Sequence, residues 1–529
     1  MQGQVLYEGV PVTTLWEKMP HADAILAQDG IIQAVGGYKD LRSRFPEAKR
    51  VALSGAAVIP AFNDCHCHIL WLGLDLLKAD LRECLSVADV QAELRAWARD
   101  NPGKVWISGR NYDQNRLKEG RHVTKFELDA VSLERPVFIS HVSKHGAVAN
   151  SAALRVAGVT ADTPDPPGGE IVRDASGEPT GVLLENAIGL VSGHFPEQTE
   201  EELSVAVERA ALFMAERGIL AASDAGTGSV DLRLEWRAFT RAVERGVPVR
   251  ITLMPDFTAA ENAGWFELEA RFAVQKWIPA EWEAAPHRNL RLGPVKLYTD
   301  GSLTARTAAL YEPFVDAGTG ILLMEPEELS RRIGIIHHKG FQCAAHAIGD
   351  RAIDEVLRNY RRVLEEAPRP ARHRIEHCMI PAPSSFQEMH DLGVLAIAQP
   401  EFFPVLGHAY RQGLGRRADP MMPYRTWLDA GIRVAFSSDQ PIVSGDPIIG
   451  WRAAVLRQGR DGYLFAPEER LDPMSALRCY TAESAYAGFD DLIGKLAPGM
   501  RADFVVLSHP PEKIVDEDMK VVAVSSDLG

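Results

Sequence analysis

Val58-Ile59-Pro60-Ala61-Phe62-Asn63-Asp64-Cys65-His66-Cys67-His68 is an apolar run that ends in two histidines one residue apart. Side chains two apart on an extended strand point to the same face. His66 and His68 therefore share one side, and Cys65 and Cys67 take the other. Two imidazoles on one rigid strand end make half a site for a borderline cation such as zinc. The cysteines face a packed layer, where small buried thiols are ordinary.

Working outward, similar short apolar runs recur at 219–222, 249–254, 295–298, 342–346, 373–377, 394–398 and 434–437. Segments of helical period separate them. With the run at 58–62 this makes eight, and eight strands alternating with helices imply an α/β fold, a (β/α)8 TIM-like barrel over residues 61–490. Residues from about 72 to 190 are too many for one strand-helix unit and carry Thr163-Pro164-Asp165-Pro166-Pro167-Gly168-Gly169, so they read as a subdomain inserted after strand 1. The ends differ from the middle. Asp29-Gly30 between two apolar stretches is a hairpin signature, and the strand-like 502–507 follows Pro498-Gly499. A small β-sandwich domain built from 1–60 plus 491–529 is expected.

Length and composition narrow the function. The chain has 529 residues, 46% hydrophobic and 24% charged, as in a soluble globular enzyme. A net charge of −15, with no basic stripe to offset it, argues against nucleic-acid binding. Residues 1–24 lack a basic start followed by an apolar core, so no secretory signal is expected. No apolar run approaches the ~18 residues of a membrane span. Six cysteines are too few for a disulfide scaffold, which fits a reduced, cytoplasmic setting.

In a barrel of this type the chemistry sits at the C-terminal strand ends. His66 and His68 fall there on the first strand, Lys296 on the fourth, His346 on the fifth and His377 on the sixth. Asp439 follows the eighth in Ser437-Ser438-Asp439.

At this level the chain resembles the amidohydrolase superfamily, and within it amidohydrolase family 3, the branch of N-substituted formamide deformylases. The likeness runs from Asp29-Gly30-Ile31-Ile32-Gln33-Ala34-Val35-Gly36, through Lys296 with Asp300-Gly301-Ser302 and Arg374-Ile375-Glu376-His377, to Pro498-Gly499-Met500-Arg501-Ala502-Asp503. His145-Gly146-Ala147-Val148-Ala149-Asn150-Ser151-Ala152-Ala153-Leu154, Gly168-Gly169 and Thr180-Gly181-Val182 resemble the insertion particular to this branch. Ala61 and Asn63 depart from the family's usual glycine and aliphatic residue without removing a ligand.

The resemblance implies a metal-dependent hydrolase of non-peptide C–N bonds. His66 and His68 would hold one divalent ion, zinc by expectation, and His346 with His377 a second. Lys296 would bridge the two if its amine were carboxylated by CO2, since a bare ammonium has no lone pair to offer; otherwise the centre holds one ion. Asp439 would touch the first ion and act as general base and acid, while a hydroxide generated there attacks the carbonyl of a small-molecule amide. His145 is expected to donate a hydrogen bond to that carbonyl, or else to be an ordinary loop histidine. Tyr298 and Asp300 share the parity of Lys296 and line the same cavity, unless Asp300 fixes neighbouring backbone amides. Trp71, Tyr112 and Phe402 either wall an apolar pocket or pack. His337 and His338 are expected to face solvent, and His373 to be structural. A homodimer is allowed.

Two alternatives remain. A ring deaminase of the same superfamily is opposed by Gly349, three residues past His346 where deaminases carry a glutamate, and by the presence of Lys296, while a cyclic amidase of that superfamily stays open beside it. A non-catalytic regulatory protein on the same scaffold is opposed by the intact set of six.

Overall fold

Pro60 divides the opening run between two sheets. The computed structural model describes residues 3–142, 145–267, 289–516 and 518–525. In it Ala57–Pro60 pairs antiparallel with Phe504–Leu507, whereas Phe62–Cys67 pairs parallel with Ile219–Thr227. Ala61 N–H donates to Asp503 O at 3.0 Å and Phe62 N–H to Gly218 O at 3.0 Å, so the chain changes sheets between neighbouring residues. Most of the apolar run 58–62 thus belongs to the sheet of the termini, and the strand bearing the histidines is the polar-looking stretch after it. This corrects the expectation that 58–62 is the first strand of the parallel set.

The chain divides into two compact units, Met1–Trp71 with Ala210–Gly529, and Leu72–Arg209. In the first unit both termini build one seven-stranded sheet, in the order Val521–Val524, Phe504–Leu507, Ala57–Pro60, Val5–Thr13, His21–Gln28, Ile31–Gly36, with Lys49–Ala52 also beside Val5–Thr13. Its hairpin turns at Asp29 and Gly30, both with positive φ (53° and 74°), which matches the twist of the flanking strands. Apolar clusters cover both faces, one around Ile25, Val58 and Phe504, the other around Leu6, Leu26 and Leu41.

Eight further strands of this unit run parallel: β1 (Phe62–Cys67), β2 (Ile219–Thr227), β3 (Arg250–Pro255), β4 (Val295–Tyr298), β5 (Cys343–Ala347), β6 (Arg374–His377), β7 (Leu395–Ala398) and β8 (Val434–Phe436). They form two arrays, β1 to β3 and β4 to β8. Leu290–Leu292 extends the first array beside β3, and the chain then passes Gly293-Pro294 to enter β4. Pro294 has no N–H for a ladder, which is why the strand breaks there. Backbone contacts cross both seams: Asp256 bridges Lys296, while Asp439 N–H donates to His66 O and His68 N–H to Gln440 O, each at 2.8 Å. Helices follow the strands, among them Leu232–Glu244, Pro326–His338 and Asp350–Glu366.

The Leu72–Arg209 unit has its own six-stranded sheet, ordered Gly169–Arg173, Pro179–Glu185, Gly146–Ala149, Val137–His141, Ile107–Tyr112, Ala79–Asp80. Separate apolar clusters centre on Val90, Leu94 and Ile139, and on Phe138, Leu154 and Leu183. Consecutive residues of one strand, Phe138 and Ile139, feed different clusters, as a sheet buried on both faces requires. Among the described residues no helix is long and apolar enough to cross a membrane.

Candidate metal centre

The end of β1 delivers His66, and His68 follows one residue beyond the strand. Asp439 reaches them from the segment after β8, its Oδ1 lying 3.1 Å from His68 Nε2 and 3.5 Å from His66 Nε2. One donor atom from each of the three falls within 4.8 Å of the others. Lys296 of β4, 1% exposed, places Nζ 3.3 Å from His66 Nε2. The His377 ring centre is 4.9 Å from that of His66 and 4.6 Å from that of His346. All six side chains read from the sequence therefore meet in one buried cluster.

Local backbone explains how β6 contributes two neighbours to one place. Register pairs Tyr298 with His346 and His346 with Glu376, so Glu376 faces the same side as they do. Regular alternation would turn His377 away. His377 instead has φ 69° and Cys378 φ 44°, a left-handed turn that breaks the alternation and brings its ring to the cluster. Asp439 is likewise left-handed, at φ 60°. Such backbone is costly for these residues and persists where surrounding bonds enforce it. Asp64 supplies that enforcement at Asp439: it accepts from Ser438 N–H at 3.0 Å, from Ser438 Oγ, and from Gln440 Nε2 at 3.3 Å.

Hydrogen bonds set which nitrogen of each ring keeps its lone pair. His66 Nδ1 meets the Glu376 carboxylate, an acceptor only, so Nδ1 carries the proton and Nε2 is the donor atom. Gln399 donates through Nε2 to Ser437 Oγ at 2.9 Å and so accepts from His377 Nδ1 at 2.9 Å, again leaving Nε2. His346 is reversed: its Nε2 donates to Gly301 O at 3.0 Å, leaving Nδ1.

Burial governs the charges. Desolvation, helped by Lys296, lowers His66 to about 3 and holds His346 well below the usual imidazole range. Both rings are neutral at physiological pH, as ligands must be. Burial brings the Lys296 amine down to about 8. Asp439 is pushed up by burial, yet the hydrogen bond with His68 and the imidazoles of His377 and His66 hold it well below the carboxylate norm. Neutral imidazole lone pairs around an ionised carboxylate fit a divalent cation.

Other expectations sort by contact. Asp300 accepts from Ala309, Ile348 and Gly349 N–H at 2.9–3.0 Å, so it fixes backbone amides. Tyr298 lies with its ring 4.9 Å from Lys296 Nζ. Phe402 stacks on His377, and Trp71, 42% exposed, stacks on His68 at 4.4 Å with its indole N–H on Ser229 Oγ. Tyr112 is buried in the core of the 72–209 unit. His145 is on that same unit, exposed, with Nδ1 2.9 Å from Glu185. Cys65 packs among Leu395, Ile397, Ala435 and Ala487, in an apolar cluster apart from the imidazoles, and burial raises its thiol to about 12. His338 is exposed, but His337 is buried between His373 Nε2 and Ala367 O, correcting its expected solvent position. A helix packed on strands buries the residue on its inner face, and position 337 is on that face. His373 accepts from Cys343 N–H at 3.0 Å, a structural role as expected.

Glu376, Arg374, Gln399 and Asp64 were assigned no role from sequence. Glu376 and Arg374 stand two apart in the quoted β6 motif, so strand parity placed them together. Nothing local pointed to the bonds of Gln399 with His377 and Ser437, or of Asp64 with Ser438 and Gln440.

Residues 49–526 match the model of the amidohydrolase family. The chain belongs to that family. It is a hydrolase acting on C–N bonds. A putative amidohydrolase, YtcJ, of Bacillus subtilis (strain 168) is 29% identical over 99% of this chain and 98% of its own. The N-substituted formamide deformylase of Arthrobacter pascens is 28% identical over 95% of this chain and 93% of its own. The crystal structure of an uncharacterized metal-dependent hydrolase from Pyrococcus horikoshii OT3 superposes with a TM-score of 0.77, at 26% identity, over 96% of this chain and 98% of that one. The family and the His-His-Asp group together support a divalent metal.

Proposed function

We propose that the chain hydrolyses linear N-substituted amides or formamides at a zinc-type centre on a closed (β/α)8 barrel formed by β1–β8. The observation that carries this reading is the meeting of His66, His68, Lys296, His346, His377 and Asp439 from five separate strand ends. His66, His68 and Asp439 would hold one ion and His346 with His377 a second, with Lys296 as a carboxylated bridge. A cation held there supplies Lewis acidity and water ionised near neutral pH.

The chain's own groups handle the rest. Asp439, ionised at neutral pH, accepts the proton of the attacking water and passes it to the leaving amine. Gln399 and Gly301 keep the second pair of imidazoles oriented. The open face of Trp71 beside His68 offers a wall for an apolar substituent.

Relatedness to a protein named N-substituted formamide deformylase favours the linear-amide reading over ring deamination. Position 349 favours it too. A Cβ there would lie 2.0 Å from Ala309 O, so this backbone has no room for the glutamate a deaminase carries.

A panel of N-acyl and N-formyl amines with added zinc or manganese tests the proposal. At least one neutral amide should turn over, and Asp439→Asn should abolish turnover with metal retained. Normal turnover by that variant would remove Asp439 from its role.

A further inference from the structure

Three of the clustered imidazoles have the far nitrogen anchored away from the cluster centre, and His66 has a carboxylate in direct hydrogen-bond contact there, whereas the nearest carboxylate to His346 Nε2, that of Asp300, stands off at 3.5 Å. His377 is held by an amide and His346 by a backbone carbonyl. Glu376, which holds His66, is wholly buried, and a lone carboxylate there would be strongly unfavourable. Arg374, equally buried, compensates it in the bidentate geometry of a guanidinium and a carboxylate: Nε to Oε1 at 2.5 Å and Nη2 to Oε2 at 2.8 Å. The same Nη2 also donates to Cys65 O at 2.8 Å, the carbonyl immediately before His66. One guanidinium thus braces both the carboxylate that holds the ring and the strand that carries it.

We infer that Glu376, braced by Arg374, is a positioning residue that fixes the His66 tautomer and strengthens Nε2 as a metal donor. This rests on the metal-centre reading above. A carboxylate accepting from Nδ1–H pushes electron density toward Nε2 and locks the ring's rotation. Arg374 engages both oxygens of that carboxylate, so the acceptor presented to His66 Nδ1 is fixed in place. A salt bridge serving packing alone would not need its second oxygen on a ligand ring.

Zinc affinity by chelator competition on the full chain tests this, alongside thermal melting of the metal-free protein. Glu376→Gln keeps the shape and removes the charge. It should weaken zinc binding by about 10- to 100-fold, in the range found for such outer partners. Unchanged affinity in a folded Glu376→Gln protein overturns the inference, whereas a wild-type chain that binds no zinc overturns the metal-centre reading itself. Should the single variant fail to fold, Arg374→Met with Glu376→Gln removes both buried charges and is read the same way. A second measurement needs no Glu376 variant. Protein carrying 15N only in histidine should show one strongly downfield imidazole proton that disappears in His66→Asn. Absence of that proton in wild type overturns the assignment.

Discussion

Burial of Lys296 makes a quantitative prediction about CO2. With its amine lowered to about 8, roughly one lysine in eleven is neutral at pH 7. A lysine at the ordinary value near 10.5 would be neutral in only about 3 of 10,000 molecules. Only the neutral amine attacks CO2, forming an N–C bond and releasing one proton, so burial raises the reactive fraction about 300-fold. If metal-free protein is stripped of CO2 and then given 13C-labelled bicarbonate, label should appear on one lysine. At constant dissolved CO2 its rate should climb about tenfold per pH unit below pH 7 and level off above about pH 8. Lys296→Met should take up none and lose activity. Equal labelling of wild type and Lys296→Met, or no labelling of wild type with or without a divalent ion, would refute the reasoning.

Three further outcomes follow from named contacts. His373 is buried and held well below the usual imidazole range, so the folded state keeps it neutral while the unfolded chain binds a proton near pH 6.5. Its contribution is complete above that pH and is lost as pH falls below it; urea melts of wild type and His373→Gln should therefore converge in acid, and curves that stay parallel would count against it. Asp64→Ala strands the Ser438 N–H and Oγ and frees the segment carrying Asp439. At about 1–3 kcal/mol for each buried group left unpaired, stability should fall by roughly 2–6 kcal/mol and kcat should drop with it; full kcat in a folded Asp64→Ala protein would show that Asp439 needs no such anchor. Trp71→Ala should raise KM for amides with large apolar substituents more than for small ones, and an equal change for both would remove the wall.

Regularity explains what the sequence disclosed. Seven of the eight parallel strands were legible because each is short, apolar and followed by a helical period, and the hairpin at Asp29-Gly30 because two consecutive left-handed residues select that dipeptide. The six clustered side chains were legible because five strand ends carry them. The first strand was misplaced because Phe62–Cys67, polar in composition, is wholly buried among side-chain bonds that composition does not reveal. Alternation alone would have turned His377 outward, and only its left-handed φ admits both it and Glu376. The Ser438 and Gln440 groups that bond Asp64 lie more than 370 positions away, beyond any local pattern.

Metal content per chain, measured on purified wild type and on His66→Ala/His68→Ala, tests the central claim most directly. The account predicts one or two divalent ions per wild-type chain, lost together with C–N hydrolysis on chelation and restored with it, and a marked deficit in the double variant. Wild type that hydrolyses amides fully while carrying no metal, or a double variant with undiminished metal and turnover, would contradict it.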